Sequence, residues 1–266
     1  MSTDSNRDRT ERAVPGPLLF ARYAYPPNSL GYCGPGDPTA LLESAVDGGR
    51  IDHLTHLAAQ FDGAWPYLEL IAGCNHVPDP LDRRVVEAYW IGNEMALTVP
   101  ASVLAASLDE RFARRSNGRV GDVVASVIAG AVPQHGLHVF GVYPWVGLLR
   151  AGAEGPALEV IDRCRIRWGR VVEIEGDAVR VSSRPLGFDG STLALGDHRV
   201  EVVRRSVDGV GFVDDLRVGD LVSMHWDWIC DRLSTRGLRW LSYCTDRNLR
   251  AVNSLPTPGP AVVCEV

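Results

Sequence analysis

Apolar residues recur at intervals of three and four through the first 160 positions, and at intervals of two through much of the remaining chain. Leu81, Val85, Val86, Tyr89 and Ile91 form the clearest helical stripe, opened by Asp79-Pro80 and running to about Ala96. Asp37-Pro38 predicts another helix start, with Pro38 at the first helical position. Asp52 to Phe61 and Ala64 to Ala72 read as short helices parted by Asp62-Gly63. Pro100 to Arg114, Val120 to Val132 and Pro156 to Asp162 continue the helical pattern, around an aromatic, less regular stretch from His138 to Trp145. Tyr23 to Gly36 and Phe61 to Glu69, dense in Pro, Gly and aromatics, read as rigid loops.

At Cys164 the period changes. Arg170-Val-Val-Glu-Ile-Glu175, the turn Gly176-Asp177 and Ala178-Val-Arg-Val181 make a hairpin pattern. Arg199 to Val203 is a further strand, and Val218-Gly-Asp220 turns the chain into the strand Leu221 to His225. Trp226 to Asn253 reads as helix, with Trp226, Ile229, Leu233, Leu238 and Leu241 on the apolar positions, before the Pro-rich Leu255 to Pro260. The expected fold class is α+β: an all-α helical domain over 17–162, then a small OB-like β-barrel with a C-terminal helix over 163–254. Residues 1–16 are expected to be a disordered tail and 255–266 a Pro-rich one.

Composition narrows the function. The chain has 266 residues, 45% of them hydrophobic, enough for one large domain or two small ones. No run of apolar residues is long enough to span a bilayer, and Met1 to Arg12 is polar rather than a secretory signal, so a cytoplasmic protein without a membrane partner is expected. The net charge of −6 is spread along the chain without a basic block, which argues against nucleic acid. All 27 basic residues are arginine, which excludes lysine Schiff-base chemistry and the lysine of a phosphate-binding loop. Neither a Gly-x-Ser-x-Gly elbow nor a dinucleotide-binding glycine motif occurs.

The groups with coordination chemistry are cysteine and histidine. Cys33, Cys74, Cys164, Cys230, Cys244 and Cys264 contain no C-x-x-C pair and are expected as free thiols. His53/His56 and His135/His138 each repeat at three residues, a spacing that can put two imidazoles on one helix face. The first pair reads as a solvated face. The second adjoins Tyr143-Pro-Trp145 and is the better ligand candidate, with Cys33 in its glycine-flanked loop as a further one.

Cys164-Arg-Ile-Arg-Trp-Gly-Arg-Val-Val-Glu-Ile-Glu-Gly-Asp177, followed later by Val218-Gly-Asp-Leu-Val-Ser-Met-His225, resembles the HypC/HupF family of nickel–iron hydrogenase assembly chaperones over about 164–233. The family's pattern is a cysteine before a Pro-Gly-basic-Val step, a Val-Glu-Ile-x-Gly-Asp hairpin and a Val-Gly-Asp strand ending in histidine. Here Trp168 stands where the family has proline, and 163 residues precede a cysteine that the family carries at its N-terminus. The resemblance implies that Cys164 holds iron, as an Fe(CN)2CO group in transit, with His225 beside it. It further implies a hydrogenase large subunit or an iron-delivery protein as partner, and no turnover. Arg163, Arg165, Arg167, Trp168 and Arg170 are the expected partner-binding residues, and the arginines' charges are expected to favour the Cys164 thiolate. Two alternatives stand beside this: a metal- or haem-dependent enzyme whose site lies in the helical domain at His135, His138 and Cys33, and a non-catalytic subunit of a metalloenzyme complex.

Overall fold

The computed structural model describes residues 14–37, 39–46, 50–112 and 120–255. Pro38 and Cys264, and both predicted tails apart from 14–16 and Leu255, lie outside them. The helical part comprises α1 (Gly16–Ser29), α2 (Thr39–Val46), α3 (Ile51–Ala58), α4 (Trp65–Cys74), α5 (Arg83–Trp90), α6 (Glu94–Thr98), α7 (Ala101–Phe112), α8 (Val120–Ile128), α9 (His135–Leu137), α10 (Trp145–Arg150) and α11 (Glu154–Cys164). A single π-helical turn, His138–Val142, continues α9. The strands are β1 (Arg167–Glu175), β2 (Ala178–Ser183), β3 (Leu186–Phe188), β4 (Leu193–Leu195), β5 (Arg199–Arg204), β6 (Ser206–Val207), β7 (Val210–Gly211), β8 (Leu221–His225) and β9 (Trp228–Arg232), and α12 (Thr235–Asn253) comes after them.

The α+β class and the change at Cys164 stand, and three local expectations are corrected. Tyr23 to Ser29 is not loop but the last turns of α1, a helix buried on nearly every side and running through Pro26 and Pro27. Burial of Phe20, Tyr23 and Ala24 outweighs the two missing backbone donors. The stripe from Leu81 to Ala96 is two helices: Asp82, accepting from the amide of Arg84, caps α5, and the chain breaks at Gly92. Gly92 has φ +100°, and a Cβ there would sit 2.4 Å from the Cys244 sulfur of α12, so only glycine fits. Finally, Trp228 to Arg232 is a strand, not the start of the helix. Trp226 at φ +54° reverses the chain after β8, β9 returns antiparallel beside it, and α12 begins only after Ser234, which caps it by accepting from the amide of Gly237.

The main sheet runs β1-β2-β5-β9-β8 and returns to β1. Its seam between β5 and β9 is one parallel residue pair, Arg204 with Trp228. This is the five-stranded, partly open barrel of an OB-like module. Val171, Val179, Val181, Val203, Val222, Met224 and Ile229 fill it. Full burial of such side chains contributes roughly 1.5–3 kcal/mol each.

The helices do not stand apart from the barrel. A larger core joins α1 to α8 with Ile166, Phe212, Trp228 and Cys230 of the barrel side and Leu241 and Ala251 of α12. Arg22 of α1 pairs with Asp231 of β9 at 2.8 Å, and the Tyr23 hydroxyl meets Ser223 of β8 at 2.7 Å.

Candidate metal centre

Three element ends meet where the helices rest on the barrel. Cys164 is the last residue of α11, His225 the last of β8, and His135 the first of α9. One ligand atom from each lies within 4.8 Å of the other two, and all three residues are buried. A backbone bond binds two of these ends together: the Trp226 amide, just after His225, donates to the carbonyl of Arg163, just before Cys164, at 2.7 Å. Arg167 adds a second tie by donating to the Trp226 carbonyl and to Glu201. His135 is placed by a relay of buried amides. Asn248 of α12 accepts from the amide of Val132 at 2.9 Å and donates to Gln134, which caps α9 through the amide of Gly136 and donates to the Trp90 carbonyl at 2.8 Å.

The hydrogen bonds settle the histidine tautomers. His225 Nδ1 lies 2.7 Å from the Tyr23 carbonyl, which can only accept, so Nδ1 carries the proton. That carbonyl is available because residue 27 is proline: the helical donor that would claim it, four residues on, does not exist. His225 Nε2 is then a bare lone pair. It lies near enough to the Cys164 carbonyl to feel its charge, yet makes no hydrogen bond of acceptable geometry, in a residue with no exposed surface. An imidazole fixed through Nδ1–H to a backbone carbonyl, with Nε2 open, is the arrangement of a metal ligand. His135 differs. Its Nε2 donates to the Cys164 carbonyl at 2.9 Å, and its Nδ1 accepts from the Tyr89 hydroxyl at 3.2 Å. Binding a metal through His135 therefore displaces one of these partners.

Electrostatics keep the cluster uncharged without a metal. Burial, opposed by the bond to the Cys164 carbonyl, lowers His135 to about 4, and burial with nearby His135 and Arg111 lowers His138 to about 3. Burial, then the neighbouring His135, pushes His225 well below the usual imidazole range. Burial raises the Cys164 thiol far above its ordinary value, with Cys33 adding to the effect, and burial lifts Cys33 to about 12. The imidazoles thus offer lone pairs at neutral pH, while each thiol keeps its proton until a cation replaces it.

Cys164, His225 and His135 of the expected ligands come together. His138 does not join them: it enters the π turn, where Nδ1 meets the Tyr67 hydroxyl at 3.4 Å and its ring lies 4.5 Å from that of Tyr143. Cys33 lies outside the trio but close enough to influence Cys164. His53 bonds Ser44 at 2.8 Å, away from the cluster. The arginine expectation is corrected. Arg165 and Arg167 are each 2% exposed, bound to Asp162 and Glu201 as internal braces, so they offer no docking surface. Their charges are answered by those carboxylates, and the Cys164 thiol is raised rather than lowered. Arg163 and Arg170 are exposed and Trp168 is half-buried. Sequence reasoning did not assign Tyr23, Tyr89 or Trp90 to the site, although their rings and polar atoms wall it; in the sequence Tyr23 reads only as the start of an aromatic loop and Tyr89 only as part of the α5 stripe.

No described helix is long and apolar enough to cross a membrane. No curated protein and no solved structure matches the chain. One family model, described as a family of unknown function (DUF6390), matches residues 12–258, helical part and barrel together, and the chain belongs to that family.

Proposed function

We propose that the protein binds one transition-metal ion at Cys164, His225 and His135, and that it serves the assembly of a metalloenzyme of the nickel–iron hydrogenase kind. The observation that carries this is the meeting of three ligand-type side chains, 29 to 90 positions apart, in a buried junction where one imidazole nitrogen has no partner. A thiolate and two imidazoles suit iron, zinc or cobalt and leave a coordination position for diatomic ligands or an acceptor. The barrel's resemblance to HypC/HupF chaperones, which rests on Cys164 and His225, favours iron and a hydrogenase large subunit or iron-delivery protein as partner.

The first test is anaerobic loading with Fe(II), with metal per chain measured for wild type, Cys164→Ala and His225→Ala. One iron per wild-type chain, and affinity at least about 100-fold weaker in both variants, is expected. Equal binding by all three would sink the assignment. Purification from the native host, with wild type beside Cys164→Ala, then tests the partner: a hydrogenase large subunit or iron-delivery protein should accompany wild type alone.

The burial of Cys164 favours a second reading, a resident metal in an enzyme. Transfer of the bound iron to an added acceptor protein would favour the chaperone, and retention of the ion through dialysis with acceptor present would favour the enzyme.

A further inference from the structure

One edge of β5 is left open. The strand pairs along its whole length with β2, from Arg199 with Ser183 to Arg204 with Ala178, but meets β9 only at Arg204 with Trp228. The Arg204 amide donates to the Asp227 carbonyl at 2.7 Å, so Arg204 faces away from β2. In an antiparallel ladder a residue turns its N–H and C=O to the same side, and every second residue turns the same way. Val202 and Val200 therefore point both backbone groups to the open side, where no partner for them occurs among the described residues. Their side chains stand in water, 63% and 50% exposed, while Val203 is buried in the barrel. β5 carries no proline and its ladder with β2 has no bulge, so neither device blunts the edge. A cleft of about 380 Å³ adjoins the strand, lined by Asp162 and Arg163 of α11 and by Arg199 and Glu201 of β5.

We propose that this edge takes an extended, acidic segment of a partner protein as an added strand, antiparallel to β5. Backbone hydrogen bonds to an open edge supply the affinity of such docking, and the side chains on either side select the partner. The partner's charge follows from Arg199 and Arg204, five positions apart at the two ends of β5. Each has a side chain 62% exposed, and each reaches a carboxylate only loosely, Asp162 at 3.8 Å and Asp227 at 3.6 Å. Asp162 is moreover held by Arg165 at 2.8 Å. Loose exposed pairs contribute little, so both guanidiniums are available to a better-placed carboxylate. Residues directly opposite on neighbouring strands share a face. The matching segment therefore sets apolar residues opposite Val202 and Val200, and an acid at each end, opposite Arg204 and Arg199. A second copy of this chain fits poorly. Pairing β5 with β5 on Val202 brings Arg199 of one copy against Arg205 of the other, and like charges directly opposite destabilise. Arg167 ties Glu201 of β5 to the carbonyl of Trp226, the residue after His225, so the docking edge adjoins the candidate centre. Docking on β5 needs no metal there.

The test is an NMR titration of the full, isotope-labelled chain with the peptide acetyl-Glu-Thr-Val-Thr-Val-Glu-amide, whose first glutamate pairs opposite Arg204. Without peptide, the amide protons of Val200 and Val202 should exchange with deuterium quickly and those of Glu201 and Val203 slowly; with peptide, all four should be slow. A peptide N-methylated on both valines lacks the donors of the new ladder and should bind at least about 10-fold more weakly. So should a peptide with arginine in place of both glutamates, and so should the acidic peptide on the Arg199→Glu, Arg204→Glu protein, at least about 10-fold in each case. Val202→Pro removes one edge donor while sparing the ladder to β2, and should also weaken binding. Far-ultraviolet circular dichroism checks that the variants are folded; if Val202→Pro is not, the charge variant and the N-methylated peptide decide. No binding of the acidic peptide up to about 5 mM would overturn the proposal, and so would equal binding of the N-methylated or the basic peptide. Slow exchange of Val200 and Val202 in the free monomer would show the edge already covered and overturn it. Dimerisation of the wild-type chain that Val202→Pro abolishes would give the edge to a second copy and overturn it as well.

Discussion

The barrel interior and the junction beneath it are equally buried and chemically opposite. The barrel is filled by valine, leucine, methionine and isoleucine. The junction holds three histidines, Cys164, Tyr67, Tyr89, Gln134 and Asn248 among its buried groups. Apolar side chains stabilise by leaving water, and they do so wherever packing is good. Buried polar groups stabilise only when each finds a partner, and a junction so provisioned gains little stability from them. Several of the polar atoms here are answered: His225 Nδ1 by Tyr23, both nitrogens of His135 by Cys164 and Tyr89, and Asn248 by Val132 and Gln134. The indole donors of Trp90 and Trp226 and the Nε of Arg167 also lack partners among the described residues, but His225 Nε2 is the unanswered lone pair beside Cys164, and there the pattern stops serving the fold.

Acid should separate the two regions most strongly. Unfolded, each imidazole takes up a proton near its ordinary value of about 6.5, whereas in the fold His135 and His138 resist to about 4 and about 3. Stability from the neutral folded histidines is therefore complete above pH 6.5 and declines as pH falls from there towards about 4, by up to about 1.4 kcal/mol per pH unit for each residue. Urea unfolding of the metal-free protein, repeated at intervals from neutral pH down to about 5, measures the decline. A flat profile would mean the junction opens to water at little cost.

Ile229→Ala should lower stability by about 2–5 kcal/mol through a cavity in the barrel. Its metal stoichiometry should stay at the wild-type value, because Ile229 faces the barrel core and not the junction. Loss of metal in a folded Ile229→Ala protein would show that the two regions are mechanically one. Asn248→Ala should lower stability by about 1–3 kcal/mol, leaving the Val132 amide without its buried acceptor. It should also loosen the start of α9, seen as broadened His135 imidazole signals by NMR while those of the barrel valines hold. The smallest effect is expected from Pro27→Ala. The new amide competes for the Tyr23 carbonyl, frees the His225 tautomer and weakens Fe(II) binding about 10-fold with the fold intact. Unaltered binding would show that the Tyr23 carbonyl does not orient the ligand.

Local patterns exposed much of the fold. The hairpin around Gly176-Asp177, the Val218-Gly-Asp220 turn and the helices α3, α4, α7, α8 and α11 arise from period and punctuation. The reading failed where burial overrode local preference. Pro26 and Pro27 suggested a loop, yet α1 continues through them because most of its residues, both prolines included, are buried. Trp228, Ile229 and Cys230, buried together on a strand covered on both faces, carry no alternation to distinguish them from helix. In the site, the sequence singles out Cys164 and His225 through the resemblance to the HypC/HupF family, whose motif carries a cysteine before the first strand and a histidine at the end of a later one. Arg167 is misplaced there because its carboxylate partner Glu201, 34 positions on, is supplied by the fold; Arg165 pairs with Asp162 only three positions before it, and what the sequence does not show is that both are buried.

The sequence by itself determined the α+β class, the switch from helix to strand at Cys164, and which side chains have the lone pairs for a metal. Period and turn residues are local properties, legible within ten or so positions. Only the tertiary structure decided that His135 and not His138 joins Cys164 and His225, which nitrogen of each imidazole bears its proton, and that Arg165 and Arg167 face inward. Those outcomes depend on contacts across tens to two hundred positions, such as Tyr23 with His225 and Asn248 with Val132, that exist only once the helices have docked on the barrel.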